Sequence, residues 1–366
     1  MSDEKEKIDT AIDDPAPRRG SHRRGLQVNE VDEKKKASMA SRFLVAGGIL
    51  LTCVPCLVLG GYVWFALMFV AALIATFEVI RAPRKKYKWY VYAFIYLMVL
   101  SYAYWFLIKW NVASYEEALR YGTLSAWRFG LEEHFETIFI SIYGLALELG
   151  VLFLFAVADE SFTFDDVTYL FTMSVLVGLG IQSLMFVRYL PVRQWMLYLG
   201  VSDGNPAFKY WGSLVFVFFA ILTCVFNDTW AYFVGILFGR RKMNPRVSPN
   251  KTWAGFFGGW ILGGISGMVF AMIVDACGYP LLPTMRIFGS GSGWYWVALL
   301  AFTIPLIGDL GDMTFSLIKR HFHVKDFGII FGAHGGMLDR LDSLFFTAIY
   351  TSIIAVFVSG GWNFFA

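Results

Sequence analysis

Charge is what this sequence has least of. Only 16% of its 366 residues are charged, against about 25% in soluble domains, and the deficit is unevenly placed. Residues 1–42 carry ten Lys/Arg and nine Asp/Glu, and apolar runs follow one another from Phe43 to the end. A surplus of one sign is also missing: the net charge of +3 gives no broad attraction for nucleic acid, which is not an expected partner. Cysteine is scarce. Cys53 and Cys56 form a C-x-x-C, but inside an apolar run, and Cys224 and Cys277 stand apart, so all four read as small buried hydrophobes rather than a disulfide framework. The N-terminal stretch lacks the apolar core of a secretory signal, and its many acids argue against a transit peptide.

What is abundant is apolar and aromatic: 57% hydrophobic residues, with 36 Phe, 18 Tyr and 13 Trp. A run of roughly 18 apolar residues crosses the ~30 Å hydrocarbon core as a helix. Nine such runs are expected, over 43–59, 61–80, 90–108, 138–157, 168–187, 212–238, 252–274, 294–318 and 343–361. The fold class is an all-α polytopic membrane protein with about nine transmembrane helices and a cytosolic N-terminus. Residues 1–42 read as a disordered cytosolic tail. Residues 43–211 form an N-terminal set of about five spans, and 212–366 a C-terminal catalytic region with loops 239–251 and 319–342. Only Gly60 and Gly61 separate the first two runs, which suits a tight hairpin. Acids and glycines in the sixth and eighth runs leave room for a break in mid-membrane.

Lys/Arg placement sets the orientation. With the tail in the cytosol, loops 81–89, 239–251 and 319–342 face the same side and hold fourteen basic residues, against seven in loops 109–137, 188–211 and 275–293. An ionisable group within a membrane helix costs roughly 2.5–3.5 kcal/mol on insertion scales, which makes it a functional candidate. Asp228 is the first, beside Asn227 in the sixth run. The second is loop 239–255, where Ser248, Lys251 and Thr252 precede a helix N-terminus, a ready anion site. The third is the densest, running from Gly311 and Asp312 through Ser316, Lys319, Arg320, Lys325, His334, Gly335 and Gly336 to Asp339, Arg340 and Asp342. If 308–320 is helical, Asp312, Ser316 and Lys319/Arg320 share a face, and Asp339 aligns with Asp342. Facing carboxylates suit a hard cation such as Mg2+, while the cations and the Gly-Gly amides suit phosphate oxygens.

The 27-residue run from Ser316 to Asp342, S-x-x-K-R-x(4)-K-D-x-G-x-x-F-x-x-H-G-G-x-x-D-R-x-D, resembles the signature of phosphatidate cytidylyltransferases (CDP-diacylglycerol synthases). The upstream N-D-x-x-A-Y and S-P-x-K-T-W stretches are similar to the same family, so the resemblance covers roughly residues 220–345. It implies transfer of CMP from CTP to phosphatidic acid, giving CDP-diacylglycerol and pyrophosphate. The catalytic set implied is Asp312, Asp339, Lys319, Arg320, Lys325 and Arg340. Ser248, Lys251, Thr252, Ser316, His334, Gly335, Gly336 and Asn227 are expected to bind substrate, and Asp312, Asp339, Asp342 and Asp228 to hold metal, Mg2+ in a site of two cations whose second member is left open. One position departs from the family: Ala254 stands where K-T-W-E-G has Glu. Restoring that Glu is expected to raise the rate, unless Asp309 already supplies the carboxylate.

Two other readings stay open on the sequence. A dolichol-kinase-like enzyme would transfer phosphate rather than CMP, and an ion-coupled transporter would use the intramembrane acids for its driving cation. Membrane lipids are expected partners, and a homodimer is left open. The tail and the style of the resemblance point to an endoplasmic-reticulum membrane, with a bacterial plasma membrane as the alternative.

Overall fold

The computed structural model describes residues 47–109, 132–199, 206–282, 284–288, 293–332 and 335–360. All of them belong to one compact unit, Arg42–Ala366, and the tail expected over 1–42 lies outside the described residues. Nine helices occur among the described residues. They are α1 Gly47–Leu59, α2 Gly61–Arg81, α3 Trp89–Lys109, α4 Glu132–Ala158, α5 Phe164–Leu199, α6 Pro206–Phe238, α7 Trp253–Ala276, α8 Trp294–His321 and α9 Leu338–Gly360. Each coincides with one of the nine apolar runs. Six are long and apolar enough over their described residues to cross a bilayer, while the described apolar parts of α1, α3 and α4 are shorter.

Two expectations change. The sixth and eighth runs are unbroken helices, α8 continuing through Pro305. Loop 239–251 is not purely a loop: β1 (Lys242–Asn244) and β2 (Ser248–Thr252) form an antiparallel hairpin pairing Lys242 with Thr252 and Asn244 with Ser248.

α7 illustrates how these helices are built. Phe257, Ile261, Ile265 and Val269 are exposed along one side, and Gly255, Gly259, Gly263 and Gly267 are buried along another, both at a spacing of four. The glycine stripe lets α6 come close enough that a Cβ on Gly263 would lie 2.9 Å from the Asn227 Cα. Such small-residue seams replace the hydrophobic drive that lipid does not supply between membrane helices. This one fixes the height and rotation of Asn227 and Asp228. α8 packs on α7 and α9, and α9 on α5.

The ends of these helices meet in one polar region. Lys88 Nζ lies 2.9 Å from Asp159, and Tyr87 donates to Asp166 at 2.8 Å, joining the α2–α3 and α4–α5 connections. Arg320 Nε at the end of α8 donates to the Val247 carbonyl in the hairpin at 3.3 Å. Glu78 near the end of α2 accepts from Met337 N at 2.9 Å, at the start of α9. The three basic segments expected to share one membrane face thus lie at one end of the bundle.

Candidate active site

Thr252 closes the hairpin and starts α7. Its extended backbone and its hydroxyl, which accepts from Gly255 N at 3.1 Å, form the helix N-cap. Gly239 and Gly255 press on that hydroxyl, where a Cβ would fall 2.7 Å and 3.0 Å from it. The cap directs the neighbouring Lys251 toward α8. There its ammonium sits 2.7 Å from Asp309 Oδ1 and 2.7 Å from Asp312 Oδ2. Burial alone would favour the neutral amine, but the Asp309 and Asp312 carboxylates outweigh it and hold Lys251 above its ordinary value.

The carboxylates continue across the helices. Asn227, buried in α6, donates from Nδ2 to Asp309 Oδ2 at 3.3 Å. Asp228 stands within electrostatic reach of Lys251, Asp309, Asp312 and Arg340. Asp342 on α9 lies within the same reach of Asp312, Lys319 and Asp339. Ser316 faces Asp312 one turn on, at 3.4 Å. The result is one centre of four carboxylates, one amide and two cations, drawn from three helices and a hairpin.

Other expected site residues have structural duties nearby. Asp339 accepts from Lys319 Nζ at 2.7 Å, and from Phe327 N and Gly336 N at 2.9 Å each. Lys319 lies above the Phe327 ring, 5.7 Å from its centroid. Gly335 has φ +82°, and a Cβ there would come 2.7 Å from Asp339 Oδ2, so a side chain is refused on two counts. Arg320 holds the hairpin through Val247, and Ser248 is half-buried in β2. Lys325 lines a separate cavity. His334 lies outside the described residues.

Two residues gain importance beyond the sequence reading. Asp309, considered there only as a substitute for the missing Glu, is a full partner of Lys251. Glu78 has no motif around it in the sequence. It is buried and accepts from Met337 N and Leu338 N, filling the space that Gly328 and Gly336 leave beside it.

The donor set bears on the expected Mg2+. Asp228, Asp309, Asp312 and Asp342 offer only oxygen, the ligand hard cations take. Among the described residues no three acidic, His or Cys side chains converge closely enough to enclose an ion by themselves. Mg2+ keeps most of its shell as water and phosphate oxygen and needs only one or two carboxylates, so these residues fit it.

A bundle of apolar helices with a cluster of acids and cations set between several of them defines a polytopic membrane protein with a buried polar centre. Residues 40–358 match the cytidylyltransferase family, and the chain belongs to that family of enzymes. A phosphatidate cytidylyltransferase of Bacillus subtilis (strain 168) is 31% identical over 230 residues, which are 62% of this chain and 73% of the relative. One of Staphylococcus saprophyticus is 32% identical over 234 residues, 60% of this chain and 81% of the relative. One of Staphylococcus haemolyticus is 36% identical over 174 residues, covering 47% and 58%.

Proposed function

We propose that the protein transfers CMP from CTP to phosphatidic acid, giving CDP-diacylglycerol and pyrophosphate. The observation that carries this reading is Lys251 clasped between Asp309 and Asp312, two acids set within an apolar helix, in a chain whose relatives are named for this substrate.

A phosphatidate oxygen is itself the nucleophile, so no side chain needs activation. It attacks the α-phosphorus of CTP, the bond from that phosphorus to the bridging oxygen breaks, and pyrophosphate leaves with the electron pair. The work left to the protein is to bring two polyanions together in line and to steady the charge at the α-phosphorus. Lys251, kept charged by its two carboxylates, and Arg340 supply fixed positive charge. Asp312, Asp228 and Asp342 would hold Mg2+, which when bound neutralises phosphate charge. Asp339 and Lys319 pair with each other beside this centre, and Asp339 also accepts from Phe327 N and Gly336 N.

The polar end of the bundle belongs on the cytosolic side, where CTP is. The bacterial sources of the relatives favour a plasma membrane over the endoplasmic reticulum. The test uses purified protein with phosphatidate, Mg2+ and CTP labelled either at the α- or at the γ-phosphate. Label from the α-position is expected in the lipid. Label from the γ-position would replace this reading with a lipid kinase, and CTP-independent ion or solute movement with no lipid product would replace it with a transporter.

A further inference from the structure

A cavity of about 700 Å3 opens between the end of α2 and the loop that follows α8. It is distinct from the Lys251 centre, and no site residue expected from the sequence except Lys325 lines it. Its charged lining is Arg81, Arg84, Lys85, Lys325, Glu78 and Asp326. Two of these are committed elsewhere, Lys85 to Asp166 and Glu78 to the start of α9. Arg81 lies over the Phe77 ring at 5.9 Å. Neither Arg84 nor Lys325 enters any ion pair among the described residues. The cavity therefore faces its contents with three cations against the single uncommitted acid, Asp326.

Interfacial anchoring explains basic residues at a helix end. It does not explain their convergence on a concavity, nor the backbone of Arg84. That residue has φ +54°, a conformation that few non-glycine residues adopt, and its N–H closes a turn onto the Arg81 carbonyl at 3.0 Å. Strained backbone of this kind gathers at ligand-holding positions. The other walls are apolar: Phe77 and Tyr92 from the helices, and Ile329 and Ile330 from the loop, both isoleucines exposed. Cations at the end of a membrane-crossing helix, beside exposed isoleucines, match an acyl-bearing anion better than a bare one.

We propose that this cavity binds a phosphate monoester through Arg84 and Lys325, and that the phosphate is the headgroup of an anionic lipid. The proposal deepens the reading above and rests on it for the identity of the lipid, phosphatidic acid. Phe327 lines the cavity, and its N–H donates to Asp339, which with its partner Lys319 stands within electrostatic reach of Asp342 in the carboxylate centre. A lipid held here would stand one loop away from the carboxylate centre.

Binding is measured on the purified full-length protein in an uncharged detergent, by titration with dioctanoyl phosphatidate, with dioctanoyl phosphatidylcholine or with CTP, the lipid arms holding no nucleotide. The double variant Arg84→Asn/Lys325→Gln is expected to bind phosphatidate at least about tenfold more weakly, losing two charge-assisted bonds, and to bind CTP as wild type does. Asn tolerates the positive φ at residue 84, and the retained CTP binding certifies the fold. Arg84→Lys should recover most of the loss, and Lys86→Gln, an exposed cation of the same loop that does not line the cavity, should change nothing. A loss confined to CTP would support the phosphate site but assign it to the nucleotide. Undiminished binding of both ligands by the double variant overturns the proposal. Since the lipid arm needs no turnover, phosphatidate binding that responds to these variants in a protein making no CDP-diacylglycerol would leave the site standing and the proposed reaction refuted.

Discussion

Leu338 N donates to Glu78 Oε2 at 2.8 Å, although the two residues stand 260 positions apart in the chain. With Met337 N on the other oxygen at 2.9 Å, one carboxylate near the end of α2 satisfies two of the amides that begin α9. An N-terminal helix end carries unpaired N–H groups and partial positive charge, and a carboxylate answers both. The N-terminal helices thus help to place the segment that bears Asp339, Arg340 and Asp342. Glu78→Gln turns one acceptor into a donor facing an amide N–H. It should destabilise the fold by ~1–3 kcal/mol, read as a lower midpoint of thermal unfolding in detergent, with turnover falling in parallel. A midpoint equal to wild type would mean that α9 starts without this cap.

Lys251 makes a prediction about pH. Its folded-state value is raised, so the stabilisation from its ion pairs is fully present below the unfolded-state value of about 10.4, and is lost only as pH rises through the higher folded value. Between pH 7 and 10 the rate of the wild-type enzyme should carry no falling limb due to Lys251. Lys251→Gln should lower kcat by about 100-fold or more, the scale of losing one fixed charge or donor at a developing anion, and the loss should be the same across that range. A deficit that shrinks steadily toward pH 10 would indicate that wild-type Lys251 is itself deprotonating there.

The Ala254 position is reinterpreted by the same geometry. The sequence reading expects Ala254→Glu to speed the enzyme by restoring a carboxylate near Lys251. Lys251 already has two, Asp309 and Asp312, each at 2.7 Å. A third would compete for one ammonium and add repulsion among the acids. Ala254→Glu is now expected to be neutral or slower at every Mg2+ concentration, and Asp309→Asn to lose most activity. A Mg2+ titration of the two variants beside wild type decides, since a faster Ala254→Glu with an active Asp309→Asn would restore the first expectation.

Much of this architecture can be read from the chain because its signals are local. Apolar runs mark all nine helices, and lysines and arginines mark the connections that gather at one end of the bundle. Asn227, Asp228, Lys251, Asp312, Arg340 and Asp342 are legible as polar residues that membrane helices and their ends do not carry without cause. What stayed hidden depends on partners far along the chain. Glu78 looks like one acid near a helix end until Leu338 meets it. The 242–252 hairpin has no alternating apolar pattern, since one strand is S-P-N-K-T. The glycines of α7 read as ordinary small residues until α6 packs on them.

Asp312 and Asp339 share one expected role but differ in their surroundings. Both are acids of the same dense segment, Asp312 within α8 and Asp339 in the first turn of α9, and the sequence assigns them the same metal-holding role. Asp339 has a side chain only 3% exposed and three donors, Lys319 Nζ and two backbone amides. Asp312 is 34% exposed, shares Lys251 with Asp309 and faces the carboxylate centre. Neutralising them should therefore have different consequences. Asp312→Asn is expected to abolish turnover while lowering the unfolding midpoint less than Asp339→Asn does, since Asp309 still pairs with Lys251 at 2.7 Å. Asp339→Asn leaves Lys319 buried with a weaker partner and sets an amide N–H against one of its donors. It should lower the midpoint and the rate together, with a stability loss of ~3–5 kcal/mol, the range for breaking a buried pair. Measuring both quantities on both variants separates the roles. An Asp339→Asn protein as stable as wild type but inactive would move Asp339 into the catalytic centre.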